Sequence, residues 1–202
     1  MITSLSQLDF DKQYTYADYL TWQFEERVEL INGLIYPMER SGGTNHQRIC
    51  GALLYLIHSY LKKNPLAVIY HIPFDVRLSS SFKNPNPHQI DTVVQPDLSI
   101  ICDKTKLDEW GCNGTPDWII EILSFSESMN KKDLSLKFDL YQSVGVREYW
   151  IVNPNDSTVL SYRLDDQSAF QPIRNTPFAK GEKVPVGVFE GFEVDLDLVF
   201  GG

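Results

Sequence analysis

The chain has 202 residues, 43% hydrophobic and 22% charged, a composition ordinary for a globular protein long enough to bury a sizeable core. Its formal net charge of −9 argues against a protein that binds nucleic acid with its whole surface, while leaving room for a local basic rim. No apolar run reaches the roughly 18 residues a membrane span needs, and Met1-Ile2-Thr3-Ser4-Leu5-Ser6-Gln7 has neither a basic n-region nor an apolar h-region, so a cytoplasmic protein is expected.

Thr15 reads as a helix cap with Asp18 three residues on, and Tyr16, Tyr19, Leu20 and Phe24 recur at roughly helical spacing. Arg27 to Met38 reads as a hairpin about Asn32-Gly33, because both turn positions tolerate a left-handed backbone. After a loop at Ser41 to Thr44, Asn45 caps a helix from about His46 to Lys62, with Ile49, Leu53, Leu56, Ile57 and Tyr60 as its apolar stripe. Two β-rich stretches follow, Ala67 to Leu78 and Val93 to Cys102, joined by the polar connection Ser79 to Gln89. Asp103 to Thr115 reads as a polar loop and Asp117 to Leu123 as a third strand. A helix of about Asp133 to Val144 comes next, reached through Ser124 to Lys132, and then a fourth strand at Arg147 to Val152. Thr158 to Leu164 with Ala169 to Ile173 forms a second hairpin, and Phe189 to Val199 alternates like a strand. The order over residues 45–152 is αβββαβ. The expected fold is therefore a mixed α/β (α+β) sandwich, a mixed central sheet flanked by helices, with N- and C-terminal hairpin additions. A single domain over residues 1–202 with its core at about 45–152 is expected.

Cys50, Cys102 and Cys112 show no CxxC and no histidine at ligand spacing, so they read as reduced thiols rather than as a disulfide framework or zinc ligands. The chemistry sits elsewhere. Asp97 lies inside the apolar run Val93 to Ile101 and Glu121 inside Trp118 to Leu123. An ionised carboxylate in such a strand costs several kcal/mol unless a divalent metal or a lysine compensates it. Pro96 cannot donate to a ladder, so its strand is expected to bend there and aim Asp97 toward Glu121. Lys137 shares a helical stripe with Asp133 and Tyr141, and its stem can run along the sheet to bring an ammonium to the two acids. Two carboxylates of this kind can hold one Mg²⁺ or Mn²⁺, with water and a phosphate as further ligands, which points to metal-assisted hydrolysis of phosphodiesters. Tyr141, Tyr149 and Trp150 read as core aromatics.

These residues resemble the PD-(D/E)XK nuclease superfamily, and more closely its restriction endonuclease-like branch abundant in cyanobacteria. The matching pieces are Glu29 to Gly33, His46-Gln47, Asp75 to Leu78, Gln95 to Leu98, Pro116 to Ser124, Lys137 with Tyr141, and Gly145 to Pro154, in that order over about residues 10–200. The resemblance implies a restriction endonuclease-like fold, Asp97 and Glu121 as metal ligands, Mg²⁺ or Mn²⁺ as cofactor and nucleic acid, DNA first, as substrate. It also implies, by analogy alone, a homodimer. The superfamily's lysine lies two residues after the acid, a position held here by Leu123; Lys137 is its candidate replacement. Glu29, His46 and Asp75 are candidates for further site residues, and Arg48, Lys104, Lys106, Lys131 and Lys132 for contacts to nucleic acid.

Blander readings stand beside these. They take Asp97 and Glu121 as partners of Arg77 or Arg147, Lys137 as a solvated helix lysine, Glu29 as a cross-strand partner and His46 as a structural or capping residue. A non-catalytic nucleic-acid-binding or regulatory module on the same fold is the alternative to a nuclease, and a plain interaction domain is the third reading.

Overall fold

The computed structural model describes residues 2–38, 43–79, 86–124 and 127–201, the side chains of 127–133 excepted. In chain order these form α1 (Tyr16–Tyr19), β1 (Val28–Ile31), β2 (Leu34–Pro37), α2 (Gly43–Lys63), β3 (Val68–His71), β4 (Val76–Leu78), β5 (Thr92–Val94) and β6 (Leu98–Ile101). There follow β7 (Leu107–Asp108), β8 (Gly111–Asn113), β9 (Trp118–Ile122), α3 (Glu127–Ser143), β10 (Glu148–Asn153) and β11 (Thr158–Leu164). The chain ends with β12 (Phe170–Pro172), β13 (Phe178–Ala179), β14 (Lys183–Pro185), β15 (Glu193–Asp195) and α4 (Leu196–Phe200). They fall into two compact units, one of Met1–Ser41, Pro73–Gln95 and Thr105–Thr115, the other of Gly42–Ile72, Pro96–Lys104 and Pro116–Gly202.

The first unit is built on a sheet of order β2-β1-β5-β4-β8-β7. Its hairpin turns at Asn32 and Gly33, with φ of 52° and 80°, the left-handed pair that matches the twist of the flanking strands. Thr15 caps α1 with Asp18 closing a capping box, as its sequence requires, but the helix ends at Tyr19 instead of running on to Phe24. Leu8, Tyr14, Tyr16, Val28, Leu30, Ile35, Ile90 and Val93 form this unit's core.

The second unit holds a sheet of order β12-β11-β10-β9-β6-β3, with β13 beside β11. β9 and β10 run parallel while β9 and β6, and β6 and β3, run antiparallel. Taken in chain order, α2, β3, β6, β9, α3 and β10 give the αβββαβ succession read from the sequence, now as one mixed sheet flanked by helices. The α2 stripe Ile49, Leu53, Ile57 and Leu61 packs with Leu98, Ile100, Trp118, Ile120, Trp150 and Val152. On β9 that leaves Ile119 and Glu121 on the opposite face, by the alternation of side chains along a strand.

Several expected elements are corrected. Each of the two β-rich stretches is two strands, one in each unit. Ala67 to Leu78 divides at Pro73 into β3 and β4, and Val93 to Cys102 divides at Gln95-Pro96-Asp97 into β5 and β6. Proline lacks the N–H a ladder needs, so the chain leaves one sheet and enters the other there. The polar stretch 103–115 contains β7 and β8. The alternating C-terminal segment ends as α4 because the Asp195 carboxylate accepts from the Asp197 N–H at 3.0 Å and caps a helical turn. Residues 41–42 of the expected loop and 80–85 of the polar connection lie outside the described residues.

Candidate active site

β6 begins at Leu98, opposite Ile120 of β9, so one step further along the same register sets Asp97 opposite Glu121. Beyond the end of β6 the Ile122 N–H has no strand to pair with, and the Asp97 carboxylate takes it, Oδ2 accepting at 2.7 Å. The Asp97 carbonyl accepts from Ile72 N at 3.1 Å, so the residue is pinned through both its backbone and its side chain. His46, in the first turn of α2, sets Nε2 3.2 Å from each carboxylate oxygen. A carboxylate only accepts, so Nε2 carries the proton. His46 Nδ1 is buried with no hydrogen-bond partner among the described residues. Burial opposes charging of the His46 ring, but the Asp97 hydrogen bond and the charges of Asp97 and Glu121 outweigh it and raise its pKa.

The other half of the cluster stands on α3. Lys137 Nζ donates to Glu121 Oε1 at 3.2 Å, and the Tyr141 hydroxyl donates to the same oxygen at 2.7 Å. Lys137 and Tyr141 are four residues apart, one turn of a helix, which is why both reach one carboxylate. His46, Asp97, Glu121 and Lys137 are each at least nine-tenths buried. The two arginines weighed as their alternative partners are engaged with other acids: Arg77 with Asp108 at 2.6 Å and Arg147 with Asp117 at 3.1 Å. Lys137 is a buried ion-pair partner, not a solvated helix lysine. The expectation that Tyr141 is only a core aromatic is also corrected, because its hydroxyl serves a carboxylate. The signal for this was its spacing of four from Lys137.

Glu29 and Asp75 stand in the first unit. Glu29 is buried and accepts from the Gln95 N–H at 2.8 Å. Asp75 accepts from Gln95 Nε2 at 2.9 Å and from the Tyr19 hydroxyl at 3.4 Å. Burial raises the Asp75 pKa against the pull of Gln95, Arg77 and Tyr19. Among the expected basic contacts, Arg48 donates to the Val199 carbonyl and to Asn45, Lys106 donates to the Thr115 carbonyl, and Lys104 is exposed. The side chains of Lys131 and Lys132 lie outside the described ones.

Among the described residues no group of three or more His, Cys, Asp and Glu side chains is arranged to hold a metal alone. Two carboxylates at neighbouring strand ends suit an ion that takes one or two protein carboxylates and completes its shell with water and phosphate oxygens, as Mg²⁺ does. The donor set fits that ion and not a closed, four-ligand zinc site.

The Uma2 family, described as "Putative restriction endonuclease", matches residues 16–198. A comparison with curated proteins finds no match. Among solved structures, a "putative nuclease belonging to DUF820" from Anabaena variabilis ATCC 29413 superposes with a TM-score of 0.68 at 21% identity, covering 93% of this chain and 97% of that one. The type IIG restriction endonuclease BpuSI aligns over 75% of this chain and 16% of its own, at 14% identity and a TM-score of 0.42. The first of these likenesses shows a shared fold.

Proposed function

The chain belongs to the Uma2 family, and from that premise we propose that it is a divalent-metal-dependent endonuclease hydrolysing phosphodiester bonds of nucleic acid, DNA first. The observation that carries the reading is the cluster in the second unit, where two buried carboxylates at adjacent strand ends meet a buried lysine on one side and a histidine on the other. Buried ionised groups cost stability, and such clusters concentrate where chemistry uses them.

Asp97 and Glu121 would hold Mg²⁺ or Mn²⁺. Bound there, the ion supplies a water of lowered pKa and a positive charge for phosphate oxygens. The protein's own groups do the rest. His46 keeps the Asp97 carboxylate turned by its Nε2–H, and the Ile122 N–H holds the same group from the strand. Lys137 compensates Glu121 in the free protein. With that compensation supplied by a bound cation, the Lys137 ammonium would serve the attacking water or the charge developing on the phosphate. A homodimer with two such sites would suit cutting of two strands by two-fold symmetry. Exposed Lys104, with Arg48, Lys131 and Lys132, would meet the backbone of the substrate. Glu29 and Asp75 have partners within the first unit, and the proposed chemistry stands on the second unit alone.

The test is calorimetric binding of Mg²⁺ and Mn²⁺ to wild type, Asp97→Ala and Glu121→Ala, with plasmid and single-strand cleavage on the same samples. Binding and cutting that disappear together in both variants support the nuclease. Metal binding without cutting supports the non-catalytic module on the same fold, which Leu123 at the usual lysine position favours. No binding by the wild type refutes the metal-dependent reading.

A further inference from the structure

We infer that Tyr141 is the positioning residue of Glu121, the group that keeps this carboxylate aimed when Lys137 leaves it; the inference rests on the metal-dependent reading above. Two donors converge on Glu121 Oε1, the Tyr141 hydroxyl at 2.7 Å and the Lys137 ammonium at 3.2 Å. The shorter bond comes from the stiffer side chain. A tyrosine ring turns about two bonds, and this one is fully buried with its ring edge-on to Tyr149 at 5.2 Å. Its backbone is fixed too, the Tyr141 carbonyl accepting from the Val146 N–H at 3.0 Å where α3 turns into β10. Lysine has a long, flexible stem and a strongly hydrated head, suited to moving between partners.

The packing of this ring against Tyr149 would be met by phenylalanine as well. A hydroxyl in this interior is tolerated because it has an acceptor, and an O–H donating to a carboxylate is among the stronger hydrogen bonds. The two donors therefore have opposite effects on a cation at Glu121. Lys137 competes with the cation for the same carboxylate charge. Tyr141 is neutral, does not compete as a cation, and holds the carboxylate in the orientation the cation meets. Partners of this kind, which orient a metal ligand from behind, typically change metal affinity by 10- to 100-fold when removed.

The experiment measures Mn²⁺ affinity by calorimetry on chelator-stripped protein, alongside the thermal melt of each sample. The samples are wild type, Glu121→Ala, Lys137→Met, Tyr141→Phe, and a protein with 4-aminophenylalanine at 141, which keeps a donor. Tyr141→Phe is expected to melt cooperatively and bind Mn²⁺ about 10- to 100-fold more weakly. Lys137→Met is expected to bind as well as wild type or better, and the amino analogue to recover most of the lost affinity. If Tyr141→Phe does not fold, 4-fluorophenylalanine at 141, which fills the space of the hydroxyl without donating, gives the same comparison. Wild-type affinity in the donor-less protein, with binding lost in Glu121→Ala, overturns the role of Tyr141 and leaves the metal reading standing. Wild-type protein that does not bind Mn²⁺, or Glu121→Ala that binds it as wild type does, overturns both.

Discussion

Replacing Lys137 by methionine separates the electrostatic role of the lysine from its packing, because methionine keeps most of the stem and removes the charge. Both members of the Lys137–Glu121 pair are nearly out of water, with side-chain exposures of 9% and 12%. Removing one partner of such a pair leaves the other charge uncompensated, at a cost of about 3–5 kcal/mol. Glu121 retains the Tyr141 hydroxyl at 2.7 Å, which places Lys137→Met at the lower end, about 3 kcal/mol. In a chain of this size each kcal/mol moves the melting temperature by about 2–4 °C, so the variant should melt about 6–12 °C below wild type in chelator. Urea unfolding followed by tryptophan emission reads the same quantity, since Trp118 and Trp150 lie in the core of the second unit. Two controls sharpen it. Lys137→Met combined with Glu121→Gln removes both charges and should regain most of the loss, because replacing a whole buried pair is often near neutral. On the metal-dependent reading, added Mn²⁺ should stabilise Lys137→Met more than wild type, because an ion that binds the folded state would meet its carboxylate without a rival. A single variant within about 0.5 kcal/mol of wild type, the ordinary scatter of surface substitutions, would refute the idea that this ammonium compensates a buried acid.

Three further outcomes follow from the structure. The buried Glu148 takes Trp150 Nε1 at 2.8 Å on one oxygen and the N–H groups of Gly187 and Val188 at 2.6 and 2.9 Å on the other. Glu148→Gln must turn an amide donor toward some of those donors and should lose about 2–3 kcal/mol in urea unfolding; a neutral result would mean that the carboxylate is not what holds the 187–188 segment. Gly33→Ala puts a Cβ 3.1 Å from Gln13 Cβ at a φ of +80° and should cost about 1–2 kcal/mol by thermal melt. The Arg174 guanidinium, followed by the Ala179 N–H, holds the partly exposed Glu182 carboxyl down to about 2. Because its folded pKa is depressed, the stability it contributes is present above its unfolded value and lost as pH falls from there toward 2. An NMR titration of the Glu182 carboxyl carbon checks this, and a midpoint near 4.5 would show the pair to be open in solution.

What the sequence by itself determined is whatever local chemistry dictates. Asn32-Gly33 specifies a hairpin turn because few other dipeptides accept two left-handed residues. Thr15 and Asp18 specify a capped turn, and the stripe from Ile49 to Leu61 specifies which side of α2 is buried. The αβββαβ order, the two acids and the lysine were legible because apolar strands around a carboxylate are costly enough to stand out. The tertiary structure decided what depends on non-local pairing. Pro96 announced a bend, but only the assembled sheets show that the chain changes sheets there and at Pro73, and that Asp97 thereby lands at the end of β6. Asp97 is drawn in by the Ile122 N–H, a donor left without a strand partner because β6 begins at Leu98, two residues short of the position opposite Ile122. In the sequence, Tyr141 is set apart from other core aromatics by its spacing of four from Lys137, which does not say what its hydroxyl meets. Its meaning comes from α3 lying over the face of β9 on which Glu121 points, an arrangement that packing and not local propensity selects.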